Sequence, residues 1–222
     1  MQTRRVNTIR RARVQTLGDL DAARDVWIVL HGFGQLASDF LAPFAPIATE
    51  GRAIIAPEAL NRFYREKAGE TTHAARPVGA TWMTREDREA EIEDYVDYLD
   101  EVARQLAPGR SVTALGFSQG VATLMRWISL GTTPVSRVIV WAGEIPKELD
   151  LLAQRARFPK QGLDLVIGSV DEYATWADVG DQRRRVEDAG LPSRLHIFDG
   201  GHRIDRGTLL ALVSGQSPDD SI

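Results

Sequence analysis

The sequence predicts an α/β fold: a mostly parallel, twisted sheet with helices on both faces and an antiparallel N-terminal edge strand. Three observations predict it. Short apolar runs recur along the chain, at "DVWIVLHG" (25–32), "RAIIAP" (52–57), "SVTALGFS" (111–118), "RVIVWAG" (137–143), "LDLVIGS" (163–169) and "RLHIFDG" (194–200), and longer helical segments separate most of them. Strands alternating with helices are the pattern of a doubly wound parallel sheet. Several runs are apolar without alternation, as expected of strands covered on both faces. The third observation is the stretch Arg11 to Thr16, which does alternate polar and apolar residues. That fits a half-exposed edge strand kept soluble by arginines better than an amphipathic transit helix.

Between these runs, the clearest helix covers residues 85–106, where Ile92, Val96, Leu99, Val102 and Leu106 mark one apolar stripe. Thr84 and Asp87 have the spacing of a capping box with Asp in place of Glu. Its Glu, Asp and Arg face reads as solvated surface. Residues 58–84, including "EALNRFYREKAGETTHAARPVGATWM", break the rhythm, being longer and less periodic than an ordinary connection. Such an excursion is expected to be a lid or substrate loop. The polar tail 215–222 is expected to fray.

At 222 residues the chain is expected to form one domain, 1–222. A net charge of −4 argues against nucleic acid as a partner, and no run approaches the about 18 apolar residues that a membrane span requires. The absence of cysteine removes disulfides, thiolate metal sites and cysteine nucleophiles, leaving serine, threonine or carboxylate chemistry as the covalent options. No secretory signal is legible, so a cytoplasmic location is the expectation. Homo-oligomerisation is left open.

In "GFSQG", Ser118 stands between Gly116 and Gly120, after a buried strand and before the helical "VATLMRWISL". A strand that turns abruptly into a helix holds its turning residue in a strained conformation, and side chains two positions away would collide unless they were hydrogens. The strain exposes the serine hydroxyl at the carboxyl edge of the sheet. A helix N-cap that only satisfies backbone donors is the plainer alternative.

A nucleophilic serine needs a base, and the base needs an orienting acid. Of the four histidines, His196 lies within a strand and reads as a satisfied sheet residue. His73 falls in the irregular loop, and His31 opens "HGFG", where a structural hydrogen bond is expected. His202 follows "FDGG" after the last strand, at the same edge as Ser118, and is the candidate base. For the acid, the chain order Ser, Asp or Glu, His selects Asp171, with Glu172 as its nearest rival. Asp199 is too close in sequence to His202, and Asp164 begins its strand at the wrong end. The tetrahedral intermediate carries an oxyanion that needs two preset backbone donors, and the amides of Phe33 in "HGFG" and of Gln119 are the natural pair. Phe63, Tyr64 and Trp82 either line an acyl pocket or pin the loop to the body.

The set "HGFG" (31–34), "GFSQG" (116–120), "GSVD" (168–171) and "GGH" (200–202) resembles the phospholipase/carboxylesterase family of α/β-hydrolases, which includes acyl-protein thioesterase-like enzymes. The resemblance implies the α/β-hydrolase fold, with Ser118 as nucleophile, His202 as base, Asp171 as acid and the amides of Phe33 and Gln119 as the oxyanion hole. It also implies action on ester or thioester acyl bonds with no cofactor and no metal. The expected activity is a serine carboxylesterase acting on short or medium acyl esters. A thioesterase for acylated proteins or small molecules is the alternative within that class, and a catalytically silent ligand-binding fold is the alternative outside it.

Overall fold

The computed structural model describes residues 2–66, 76–173 and 176–215. In chain order the strands are β1 (Val14–Leu17), β2 (Asp25–Leu30), β3 (Arg52–Pro57), β4 (Asn61–Tyr64), β5 (Val78–Thr81), β6 (Ser111–Phe117), β7 (Arg137–Trp141), β8 (Leu163–Gly168) and β9 (Ser193–Phe198). The helices are α1 (Ala37–Phe40), α2 (Arg88–Leu106), α3 (Gln119–Leu130), α4 (Trp176–Asp188) and α5 (Arg206–Ser214). Each apolar run named above becomes a strand whose ends lie within two residues of the sequence reading.

Seven strands form one sheet in the order β1-β3-β2-β6-β7-β8-β9. Only the edge strand β1 runs antiparallel, pairing Val14 with Pro57 and Leu17 with Ile54, while the remaining pairs are parallel. Because side chains alternate across a strand, each central strand feeds two cores. Val26, Ile28 and Leu30 of β2 face one core with Leu99 of α2, Leu124 of α3 and Val186 of α4. Trp27 and Val29 face the other, with Phe40 of α1, Phe44 and Leu209 of α5. Burial on both faces explains why β2 carries no polar alternation after Asp25.

Two local expectations are corrected. The edge strand begins at Val14 and not at Arg11, and just before it Arg13 pairs its guanidinium with the buried carboxylate of Glu58 at 2.8 Å. The capping box does not form: α2 starts at Arg88, Asp87 is left-handed (φ 48) with no side-chain cap bond, and Thr84 gives its N–H and its hydroxyl to Glu91 instead. The 58–84 excursion contains more order than its sequence suggests, since β4 and β5 pair antiparallel from Asn61↔Thr81 to Tyr64↔Val78. Residues 67–75 of the expected lid, His73 among them, and residues 216–222 of the expected frayed tail lie outside the described residues. Among the described residues no helix is long and apolar enough to cross a membrane.

At the amino end of β8, Asp164 is buried and accepts hydrogen bonds from Arg137 (2.8 Å), Arg194 (2.8 Å) and His196 (2.9 Å). Burial alone would raise its pKa, but the bonds from His196 and Arg194 and the charge of Arg137 outweigh it and hold the carboxyl below its usual range. A carboxylate with a depressed native pKa contributes stability that is complete above its unfolded value, about 4, and is lost as the pH falls below it. Asp164→Asn is expected to lower stability by about 2–3 kcal/mol at neutral pH, the half exposure of Arg194 moderating the loss. The deficit relative to wild type should shrink as the pH falls below about 4, measured by urea denaturation across pH.

Candidate active site

The carboxyl ends of the parallel strands lie along one edge of the sheet, and β2, β6, β7, β8 and β9 are consecutive neighbours there. Ser118 leaves β6, Ala142 and Gly143 leave β7, Asp171 follows β8 and His202 follows β9. The fold thus gathers residues more than 80 positions apart onto one rim.

Ser118 has φ 54 and ψ −120, a conformation that L side chains rarely adopt, and its N–H donates to Trp141 O at 2.9 Å. Its side chain makes no cap bond to α3. The N-cap alternative therefore fails, and strain of about 1–3 kcal/mol is held without a side-chain cap bond in return. The flanking glycines are required by contact. A Cβ at Gly116 would stand 2.4 Å from Gly120 O, and one at Gly120 would stand 2.3 Å from Leu30 O. Gly143 is equally confined, since its Cβ would lie 2.4 Å from Ser118 O.

His202 Nδ1 lies 2.9 Å from Asp171 Oδ2 and 3.1 Å from Oδ1. A carboxylate only accepts, so in the neutral form of the ring Nδ1 carries the proton and Nε2 keeps its lone pair. Asp171 is held in turn by the Tyr173 N–H, which donates to Oδ1 at 2.9 Å. The Asp171 side chain is fully buried against His202, whereas Glu172 is exposed. The imidazole lies between the rings of Phe117 (centroids 4.8 Å apart) and Tyr173 (4.7 Å). Ser118 and His202 line one cleft of about 370 Å³, walled further by Gln119, Ala142, Gly143, Tyr173 and Gln182.

"HGFG" runs beside the serine: a Cβ at Gly32 would stand 3.1 Å from Ser118 Cβ. Gly32 donates its N–H to Gln35 Oε1 (2.8 Å) and Gly34 donates to Ala80 O (2.8 Å). Among the described residues, the N–H groups of Phe33 and Gln119 have no protein acceptor. His31 is buried, with Nδ1 2.7 Å from Gly32 O and Nε2 accepting from Ala59 N–H at 3.1 Å. Burial pushes its imidazole pKa down. His31 is thus a structural pin, and His196 on Asp164 is a satisfied sheet residue.

The aromatic candidates divide. Trp82 is buried in the core beneath α2 and donates from Nε1 to His31 O at 2.8 Å, so it pins the loop and is not free to hold an acyl chain. Phe63 stacks on the exposed Phe33 ring at 5.1 Å, and Tyr64 is exposed on β4. None of the three lines the cleft shared by Ser118 and His202. The sequence reading missed the Phe117 and Tyr173 rings around His202. Phe117 could have been found, because it immediately precedes the serine on a strand whose alternate residues face opposite sides.

No family model and no curated protein matches the chain. Solved structures do match. Esterase PE8 superposes with a TM-score of 0.70 at 22% identity, over 92% of this chain and 99% of that one. The chain has the α/β-hydrolase fold. Acyl-protein thioesterase 2 of Zea mays matches the chain with a TM-score of 0.70 at 13% identity, over 92% and 97% of the two chains. A phospholipase/carboxylesterase from Dyadobacter fermentans matches with a TM-score of 0.64 at 20% identity, over 92% and 95%.

Proposed function

We propose that this α/β-hydrolase is a serine esterase of the phospholipase/carboxylesterase type that cleaves carboxylic esters of short or medium acyl chains. The observation that carries the reading is the placement of a strained, uncapped serine in the same cleft as an imidazole whose Nδ1 is bonded to a buried carboxylate. In the first half-reaction Ser118 Oγ attacks the acyl carbon as His202 Nε2 takes its proton. The tetrahedral oxyanion receives the Phe33 and Gln119 N–H groups, and its collapse expels the alcohol, protonated by His202. Water then attacks the acyl-serine by the same proton route, releasing the acid and restoring the hydroxyl. Asp171 keeps the ring oriented and stabilises the imidazolium. No cofactor or metal enters these steps.

A fluorophosphonate probe tests the nucleophile. Wild type is expected to be labelled once, at Ser118, and Ser118→Ala not at all; equal labelling of the two, or of neither, overturns the assignment. Matched esters and thioesters of rising acyl length then distinguish the esterase from a thioesterase.

A further inference from the structure

The two amides proposed to bind the oxyanion come from positions 33 and 119, and no regular element contains both. Phe33 lies in a loop next to Gly34 at φ +74, and Gln119 is the first residue of α3. Preset donors are effective only if their spacing survives thermal motion, because donors that must reorganise return the energy they supply.

One short segment is bonded both to the residues that follow Phe33 and to the Gln119 side chain. On the loop side, Ala80 accepts from Gly34 N–H at 2.8 Å and donates its own N–H to Gln35 O at 3.3 Å, so both its backbone groups grip the chain around Phe33. Gly79 packs so closely there that a Cβ would lie 2.5 Å from Gly34 O. On the helix side, the Gln119 carboxamide donates from Nε2 to Thr81 Oγ1 (2.8 Å) and Met83 O (3.2 Å), and its Oε1 accepts from Trp82 N–H (3.3 Å). The buried Thr81 hydroxyl also donates to Met83 O at 3.0 Å. A side chain with two donors and one acceptor is what this attachment requires, which gives a physical reason for glutamine directly after the serine.

We propose that residues 79–83 are a brace that fixes the spacing of the two oxyanion donors, with Thr81 and the Gln119 side chain as its positioning residues. This rests on the hydrolase reading. The excursion between β3 and α2 then has a catalytic duty separate from any contact with substrate: it ties the "HGFG" loop to the residue after the nucleophile. A donor misplaced by about 1 Å can cost on the order of 100-fold in rate, and loss of one link in the brace is expected to cost about tenfold.

Thr81→Val keeps the shape and removes the hydroxyl. It is expected to lower kcat about tenfold with KM little changed, because an interaction made only in the transition state lowers kcat and kcat/KM together. Binding of a boronic acid that forms a tetrahedral adduct on the serine should weaken by a similar factor, and Thr81→Ser should restore both. Gln119→Leu cuts the same link from the helix side and carries the same expectation should T81V fail to fold. Unchanged kcat and boronate affinity in folded variants, or a rise confined to KM, overturns the brace alone. A wild type that neither turns over any ester nor takes the fluorophosphonate label overturns the hydrolase reading, and the brace with it.

Discussion

Ser118→Ala is expected to lower kcat for ester hydrolysis by on the order of 10⁶-fold while leaving the thermal midpoint close to that of wild type. The kinetic half follows from the two-step route: without Oγ no acyl-enzyme forms, and the residual rate is what the oxyanion donors and substrate binding give to direct attack by water. The stability half follows from the turn. The Ser118 side chain makes no cap bond, and its backbone bond to Trp141 O survives the substitution. Alanine keeps a Cβ, so it inherits the strain at φ 54 and neither relieves nor adds to it. Steady-state kinetics beside a thermal melt check both halves. A variant that loses activity only in proportion to lost folded protein would make Ser118 a structural residue of the elbow.

The fold was legible because burial on both faces leaves a compositional trace. β2, β6 and β8 are nearly unbroken apolar runs, and their parallel pairing follows from the helices between them. The gathering of the candidate residues on one rim was legible for a related reason. Gly116 and Gly120 mark an elbow where no Cβ fits, and Asp171 and His202 each follow a strand end, so topology brings together what the chain separates. What was not legible depends on packing between distant residues. Nothing local shows that Trp82 turns inward to His31 O, or that Gln119 reaches Thr81 and Met83, since each bond spans more than 30 positions. The capping box at Thr84 failed for a similar reason: Glu91 competes for Thr84, while Asp87 is drawn to Arg5 of the N-terminal segment. Local propensity lost there to charges that arrive from elsewhere in the chain.

Asp171→Asn is expected to lower kcat on the order of 10⁴-fold with the fold intact, although it removes a charge and no atom of the backbone scaffold. The reason is the tautomer. As a carboxylate, residue 171 offers only acceptors to His202 Nδ1 at 2.9 Å, which forces the ring proton onto that nitrogen and leaves Nε2 free to take a proton from Ser118. An asparagine side chain has one acceptor and one donor group. The Tyr173 N–H, which donates to Oδ1 at 2.9 Å, competes for that acceptor. With the carbonyl held by Tyr173, the amide N–H₂ faces Nδ1 and is satisfied only if Nδ1 becomes the acceptor. The ring proton then moves to Nε2, where it blocks base catalysis. The positive charge that develops on His202 during attack also loses its counter-ion. The same substitution at the exposed rival, Glu172→Gln, is expected to leave kcat within about twofold, because surface changes away from bonded networks have small effects. Steady-state kinetics on both variants decide the matter. Similar losses in the two, or a larger loss at residue 172, would remove Asp171 from the orienting role.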